Sequence, residues 1–394
     1  MKTSSIFSRD LSPEFEWARG QTSDYEFLDR SPRPPVERIR VLIEEWLSRM
    51  PETERPRLLA SLRSRKNLEH WSGFFELYCH EFLRRSGFEV EMHTQDIKKR
   101  AKDFRASRGG FVFEMEAAVC ADSDQHRAEQ RILNRVTDFL DEHAFVPGFR
   151  YSMQLENVGS ELPPLRELSA QIKAWAEGFD RAAIRELLEG KGYEVLPVRT
   201  FTEGEWSLEM TLIPRPIDES DSEIFKKSIG IGPVQVGRLQ HDKALWNTLK
   251  SKSSHYAQHD HPFVIAVDTV FSFGEHNEID VLQALLGTEQ VTVDVRTMKT
   301  KLGRASDGIW IGPRGPRNKR VSAVLMVNQL RSYYIPKAAL KLYVNPWAIK
   351  PLAADTFFIP TVSWDLDTGK KTEKSGKTPW EIFGLSQNWP EEAE

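Results

Sequence analysis

The chain has 394 residues, 40% hydrophobic and 28% charged, enough to bury a sizeable core as two domains or one elaborated domain. Its net charge of −4 excludes a globally basic nucleic-acid binder but leaves room for a local basic groove, because phosphate affinity comes from patches. Two cysteines, Cys79 and Cys120, exclude a disulfide scaffold or thiolate zinc cluster, and no apolar run reaches the roughly 20 residues that cross a bilayer. With no signal-peptide core at the N-terminus, a cytoplasmic location and no membrane partner are expected.

Residues 1–35 are polar and end in Arg-Ser-Pro-Arg-Pro-Pro, which reads as a flexible leader. From Val36, the apolar spacing of Ile39, Leu42, Ile43, Trp46 and Leu47, then Leu58, Leu59 and Leu62, predicts a helical hairpin interrupted at Pro51 and Pro56. Between His70 and Ser86, Phe74, Leu77, Tyr78, Phe82 and Leu83 recur at helical spacing, and Gly87 follows at the expected C-cap. Phe88 to His93 alternates as a strand, Lys102 to Ala106 forms a second, and Gly109-Gly110 turns the chain into a third over Phe111 to Val119. In that third strand Glu114 and Glu116 share one face, because side chains alternate with period two.

Four carboxylates thus fall on neighbouring elements: Glu76 on the helix, Asp103 on the second strand, and Glu114 and Glu116 on the third. Acids brought into one site repel and raise one another's pKa, and a divalent cation resolves the conflict. Oxygen-only donors suit Mg²⁺ or Mn²⁺, which polarise phosphoryl oxygens and lower the pKa of bound water. Metal-dependent phosphodiester hydrolysis is the expectation. The bland reading of the same residues is a solvent-facing strand face, although acids in so apolar a strand are costly without a partner. Lys98, Lys99, Arg100 and Lys102 form the basic run nearest these acids; Arg63, Arg65 and Lys66 and the Arg314 to Arg320 segment are further candidate patches.

The motifs Phe75-Glu76-Leu77-Tyr78, Gly87-Phe88-Glu89-Val90, Lys102-Asp103-Phe104 and Val112-Phe113-Glu114-Met115-Glu116-Ala117 together resemble the PD-(D/E)XK restriction-endonuclease-like superfamily, and within it a bacterial group with ELY, PDF and vEA patterns. The resemblance covers residues 66–145 best and continues more weakly through Asp260 to Val267 and Val344 to Ala348. It implies an α/β fold with an αβββαβ nuclease core, Asp103 with Glu114 or Glu116 as metal ligands, Glu76 as a helix-borne accessory acid, and a nucleic-acid partner, chiefly DNA. Two positions depart from the pattern. Lys102 stands where the group has proline, and the usual lysine is missing: its place is Glu116 if Glu114 is the acid, or Ala118 if Glu116 is. Glu114 could then serve as second ligand or base, and Lys99 or Lys102 could stabilise charge on the phosphorane. Without the lysine, the alternative is an inactive nuclease fold that binds nucleic acid or a protein partner. A homodimer remains open.

Further along, Ser123 and Asp124 can cap a helix to about His143, expected as the core's second helix, with Glu129, Gln130 and Asn134 on its polar side. Phe149 to Val158 alternates as a strand, and Leu165 to Phe179 is helical. Trp206 to Ile213 is a strand, Lys243 to Gln258 a helix, and Pro262 to Asp268 a buried strand by its unbroken apolar run. The expected division is a leader at 1–35, a helical segment plus nuclease-like core at 36–190, a C-terminal α/β portion at 191–364 and a surface tail at 365–394. His255, His259 and His261 with Asp260 fall at a helix end, where histidines commonly cap carbonyls. Gly230-Ile231-Gly232, Asp365 to Gly369 and Gly376-Lys377-Thr378 each lack the context of the nucleotide or calcium loop they suggest.

Overall fold

The computed structural model describes residues 5–15, 17–95, 101–215, 228–234, 241–254, 260–271, 277–294, 299–366 and 370–391. It is a mixed α/β protein in two compact units, one comprising Met1–Trp17, Ser23–Asp122 and Leu239–Glu394, the other Ala18–Thr22 and Ser123–Arg238. The second unit is therefore an insertion in the sequence of the first. The boundary expected near residue 190 falls inside that insertion, and the correction has a simple cause: an inserted unit leaves no break in composition where the chain enters or leaves it.

The first unit opens with α1 (Asp24–Arg30), α2 (Pro34–Ser48) and α3 (Arg55–Leu62), followed by the long helix α4 (Asn67–Arg85). Prolines at the first positions of α2 and α3 start these helices without losing a hydrogen bond. Strands β1 (Glu89–Gln95), β2 (Ala101–Arg108) and β3 (Phe111–Ala121) form an antiparallel meander. Gly109 and Gly110 both have positive φ (56° and 82°), the geometry a two-residue hairpin loop requires between Arg108 and Phe111.

After the insertion come α8 (His241–Ser254) and β8 (Phe263–Val270), which pairs parallel with β3. The inserted unit supplies α5 (Asp124–His143), α6 (Leu165–Glu177), α7 (Arg181–Lys191), β4 (Phe149–Asn157), β5 (Val198–Glu203), β6 (Trp206–Pro214) and β7 (Ile229–Val234). The helix α9 (Glu278–Leu286), the hairpin β9 (Glu289–Asp294) with β10 (Lys299–Arg304), and the short β11 (Ile311–Gly312) with β12 (Gly315–Pro316) precede β13 (Ala323–Asn328), β14 (Ala339–Val344), β15 (Thr361–Trp364), β16 (Lys371–Lys374) and α10 (Pro379–Phe383). One sheet runs β1-β2-β3-β8-β13-β14-β15-β16. Strand β8, buried at every position, lies between β3 and β13, parallel to both, which explains its unbroken apolar sequence.

Each face of the sheet carries its own core. Phe113 and Met115 of β3 with Val264 and Ala266 of β8 pack with Trp46, Phe75, Tyr78 and Phe82 of α2 and α4. Ile265 and Val267 pack on the other side with Leu245 and Leu249 of α8, Leu285 of α9 and Trp310. Parts of the expected flexible leader and surface tail are buried. Ile6, Phe7 and Leu28 are buried, and Phe383 sits 5.1 Å from Trp46 and 4.7 Å from Tyr78 between ring centroids. These segments are too short and too polar for periodicity to reveal them; a few large apolar side chains anchor each.

The inserted unit contains α5 (Asp124–His143), β4 (Phe149–Asn157), α6 (Leu165–Glu177), α7 (Arg181–Lys191), β5 (Val198–Glu203), β6 (Trp206–Pro214) and β7 (Ile229–Val234), with sheet order β5-β6-β4-β7. In β6, Trp206, Leu208, Met210 and Leu212 are buried in strict alternation. The helix expected to be the core's second is α5, which belongs here; the helix that precedes β8 in the first unit is α8. Gln130 donates to Asn134, and Asn134 to the Gly20 carbonyl, inside this unit. Among the described residues, no helix is long and apolar enough to cross a membrane.

Candidate functional site

The site forms where β2 parts from β3. Backbone pairing runs from Arg108 opposite Phe111 to Phe104 opposite Met115 and stops there. One residue further on, the Asp103 side chain takes over: its Oδ2 accepts the Ala117 N–H at 2.8 Å. A ladder position is thereby filled by a carboxylate, which is fixed in place beside Glu116 of β3. Glu116 is 6% exposed and accepts a hydrogen bond from Lys252 Nζ of α8 at 2.7 Å.

Two further acids approach from the α4 side of the sheet. Arg57 of α3 grips Glu76 of α4 with both terminal nitrogens, the Nη1 contact to Oε2 being 3.0 Å. His93 of β1 lies between Met92, paired with Phe104, and Thr94, paired with Lys102, at the position across from Asp103. Its φ of 47° departs from strand geometry. The ring sits with Nδ1 2.8 Å from Glu54 Oε2, and Nε2 3.7 Å from Glu76 Oε1 and 3.9 Å from Asp103 Oδ1.

Burial, then the neighbouring Glu116 charge, push the Asp103 carboxyl up to about 7; Glu76 adds to the rise, while the Ala117 N–H and Lys252 oppose it. The local field therefore carries an excess of negative charge that Lys252 only partly offsets. On the neighbouring strand β8, Asp268 is likewise pushed up to about 7 by burial, against the Leu330 N–H that it accepts at 3.0 Å and against Arg331.

Of the residues singled out from sequence, the structure gathers Glu76, Asp103 and Glu116. Glu114 has a different role: Lys102 binds it directly, Arg105 Nη2 approaches it at 3.8 Å, and both Lys102 and Glu114 are nearly inaccessible, at 3% and 4% exposure. Lys102 is thus committed to a buried ion pair instead of being presented to a phosphorane, and Glu114 is compensated where it stands. Lys99 lies outside the described residues, as do His255 and His259. Thr378 of Gly376-Lys377-Thr378 caps α10 in a reciprocal capping box with Glu381, so that sequence is a helix start. Gly230 to Gly232 lie within β7.

Sequence reasoning missed Lys252, His93, Glu54 and Arg57. His93 carried a weak signal, as a histidine on the strand that precedes the hairpin; Lys252 carried none, being 136 residues from its partner Glu116.

Among the described residues, no three acidic, histidine or cysteine side chains already converge to the spacing that holds a metal ion. Asp103 and Glu116 still fit a magnesium-type ion in chemistry, since such an ion is commonly held by one or two carboxylates, with water and substrate phosphate completing its shell. Compared with protein-family models, curated proteins and solved structures, the chain matches none.

Proposed function

We propose that the protein is a metal-dependent phosphodiesterase of the PD-(D/E)XK type that hydrolyses nucleic acid, with DNA as the first substrate to try. The observation that carries this reading is the placement of Asp103 and Glu116 side by side where β2 leaves β3, with Lys252 bonded to Glu116. The order α4-β1-β2-β3, completed after the insertion by α8 and β8, supports an αβββαβ core. Lys252 supplies from α8 the cation that neither position 116 nor position 118 provides.

In this reading Asp103 and Glu116 hold a Mg²⁺ or Mn²⁺ ion. When bound, that ion polarises a phosphoryl oxygen and lowers the pKa of a water. The chain's own residues do the rest. Lys252 places positive charge where the phosphate gains negative charge in the transition state. The Ala117 N–H fixes the Asp103 carboxylate, and Arg57 fixes Glu76, so neither has to reorganise as substrate binds.

The test is Mn²⁺ and Mg²⁺ titration calorimetry on the full chain and on Asp103→Ala and Glu116→Ala, with folding followed by circular dichroism, together with cleavage assays on DNA and RNA. Binding and cleavage lost in both folded variants are expected. Metal-dependent cleavage that persists in Asp103→Ala overturns the assignment.

A second reading, a non-catalytic module that binds nucleic acid or a protein, is favoured by one observation. Arg57, Lys102 and Lys252 already engage Glu76, Glu114 and Glu116. It expects salt-sensitive DNA association unchanged in Asp103→Ala and no cleavage products with any metal.

A further inference from the structure

We propose that two loops at the entry to β13, residues 311–320 and 345–350, form a surface that binds the phosphate backbone of duplex DNA about half a helical turn from the acids of the β2/β3 opening. The inference rests on the reading that this site acts on DNA. It starts from charge. The chain as a whole carries −4, yet from Gly308 to Ala354 it has no acidic residue and eight lysines and arginines. Arg314, Lys319, Arg320 and Lys350 of this stretch are exposed, and among the described residues no carboxylate pairs with Arg314, Lys319 or Lys350. By contrast, Arg49, Arg57 and Arg85 of the same unit are each tied to an acid. Cations gathered without acidic partners repel one another and attract a polyanion.

The loops hold these cations on a fixed frame. Pairing of Ile311 with Pro316 and of Gly312 with Gly315 closes a hairpin with Pro313 and Arg314 at its tip, where Gly315 supplies a φ of 93°. Behind the tip, Arg317 Nε donates to the Gly308 carbonyl at 2.9 Å and its guanidinium lies 5.9 Å from the centre of the Trp246 ring of α8. Asn318 donates to the Ile309 carbonyl at 2.7 Å. The second loop is clamped to the first: the Ile349 N–H donates to the Lys319 carbonyl at 2.8 Å, and Ser322 Oγ donates to the Lys350 carbonyl at 2.5 Å. Neither loop exposes an aromatic ring on which an unpaired base could stack, so phosphate is the group this surface fits.

The sheet sets the distance to the acids. Glu116 lies opposite Ile265 of β8, which lies opposite Val324 of β13. Two strand spacings of about 4.8 Å, with the chain from Val324 back to Arg320, place the first loop within about 17 Å of Glu116. That reach corresponds to about five base pairs of duplex at about 3.4 Å each. A duplex whose scissile phosphate lies at Asp103 and Glu116 can therefore lay its neighbouring backbone on both loops.

The test measures binding of a labelled duplex of about 20 base pairs to the full chain by fluorescence anisotropy, without metal so that cleavage plays no part, over about 50 to 200 mM salt. The triple variant Arg314→Ala, Lys319→Ala, Lys350→Ala is compared with wild type and with Arg166→Ala, Lys173→Ala, Lys191→Ala, which removes the same charge from exposed positions of the inserted unit. Circular dichroism checks that both are folded. Each phosphate contact contributes about 0.9 to the slope of log affinity against log salt, so the loop variant should bind about 10- to 100-fold more weakly with a slope smaller by about 2 to 3. The variant of the inserted unit should stay near wild type. Equal affinity and slope in the loop variant and wild type, equal losses in the two triple variants, or no duplex bound by wild type at the lowest salt overturns the surface. Each of these leaves the reading of Asp103 and Glu116 to the separate metal and cleavage assays. A single strand of the same length bound more tightly than the duplex overturns the assignment to duplex DNA.

Discussion

Two carboxylates of the first unit, Glu81 on α4 and Asp103 on β2, meet opposite environments. Glu81, on the last turns of α4, is wholly inaccessible, yet Arg49 at 2.7 Å, Arg84 at 3.1 Å and Arg85 at 2.6 Å surround it. Burial alone would raise its pKa; the arginines reverse that and hold the carboxyl below its usual range. Asp103, on β2, has burial, Glu116 and Glu76 all pushing upward, with one backbone N–H and Lys252 in opposition. Internal cations complete the Glu81 cluster, which is therefore structural. The Asp103 cluster keeps an excess of like charge, and strain of that kind persists in folded proteins where a ligand relieves it.

The largest expected effect breaks the structural side of this contrast. Glu81→Ala leaves three arginines converging on a position without its carboxylate, and removal of one partner from a buried ionic cluster costs up to about 3 to 5 kcal/mol. Urea unfolding of the variant should show that loss with no change in metal affinity of the folded protein. If Glu81→Ala is as stable as wild type, the arginines are solvated and the contrast with Asp103 fails.

A smaller effect comes from Asp268, a buried acid without a ring of cations. Its folded pKa, raised to about 7, lies above the ordinary 3.8 of an aspartate, so the folded protein retains a proton that the unfolded chain has already lost between those values. Stability is therefore highest below about pH 4 as far as this group is concerned, and falls as pH rises to about 7. Asp268→Asn keeps an oxygen for the Leu330 N–H and removes the charge. It should flatten the pH dependence and stabilise the protein at pH 8 relative to pH 4 by about 3 kcal/mol, less than the about 4 kcal/mol of the full pKa difference because the surroundings of the ionised group relax. Equal pH profiles for variant and wild type would mean that Asp268 stays ionised in the fold.

The helix and hairpin that carry Glu76, Asp103 and Glu116 were legible because their signals are local. Helical spacing gives α4, period two gives β3, and Gly109-Gly110 gives the turn that sets the β2/β3 register. The continuous apolar run of β8 likewise announced a strand buried on both faces. What escaped was everything set by long-range pairing. The chain leaves β3 for the whole inserted unit before α8 and β8 return beside it, so α5 was the obvious next helix and the wrong one. The pairings of Lys102 with Glu114 and Lys252 with Glu116 depend on side-chain direction and tertiary approach, neither of which residue spacing records. The missing lysine of the sequence pattern was thus sought near Asp103, whereas in the proposed reading Lys252 of α8 takes its place beside Glu116.

The smallest expected effect is the most discriminating, because its sign differs from that of an ordinary core substitution. Asp103→Asn keeps the side chain's shape and an oxygen that can accept the Ala117 N–H, while removing one charge from between Glu116 and Glu76. With a folded pKa of about 7 against an ordinary 3.8, the penalty for ionising Asp103 is absent near pH 4, grows through pH 7 and is complete above it. The metal-free variant should therefore be more stable than wild type by about 1 to 2 kcal/mol at pH 8, less than the full pKa difference would give because Glu116 and Lys252 relax with it, and indistinguishable near pH 4. Wild type should recover the deficit when Mn²⁺ is added and the variant should not, since only a ligand of the folded site stabilises it by mass action. A variant destabilised at every pH would place Asp103 with Glu81, as an acid that the fold needs charged and already compensates, and would count against a ligand site at the β2/β3 opening.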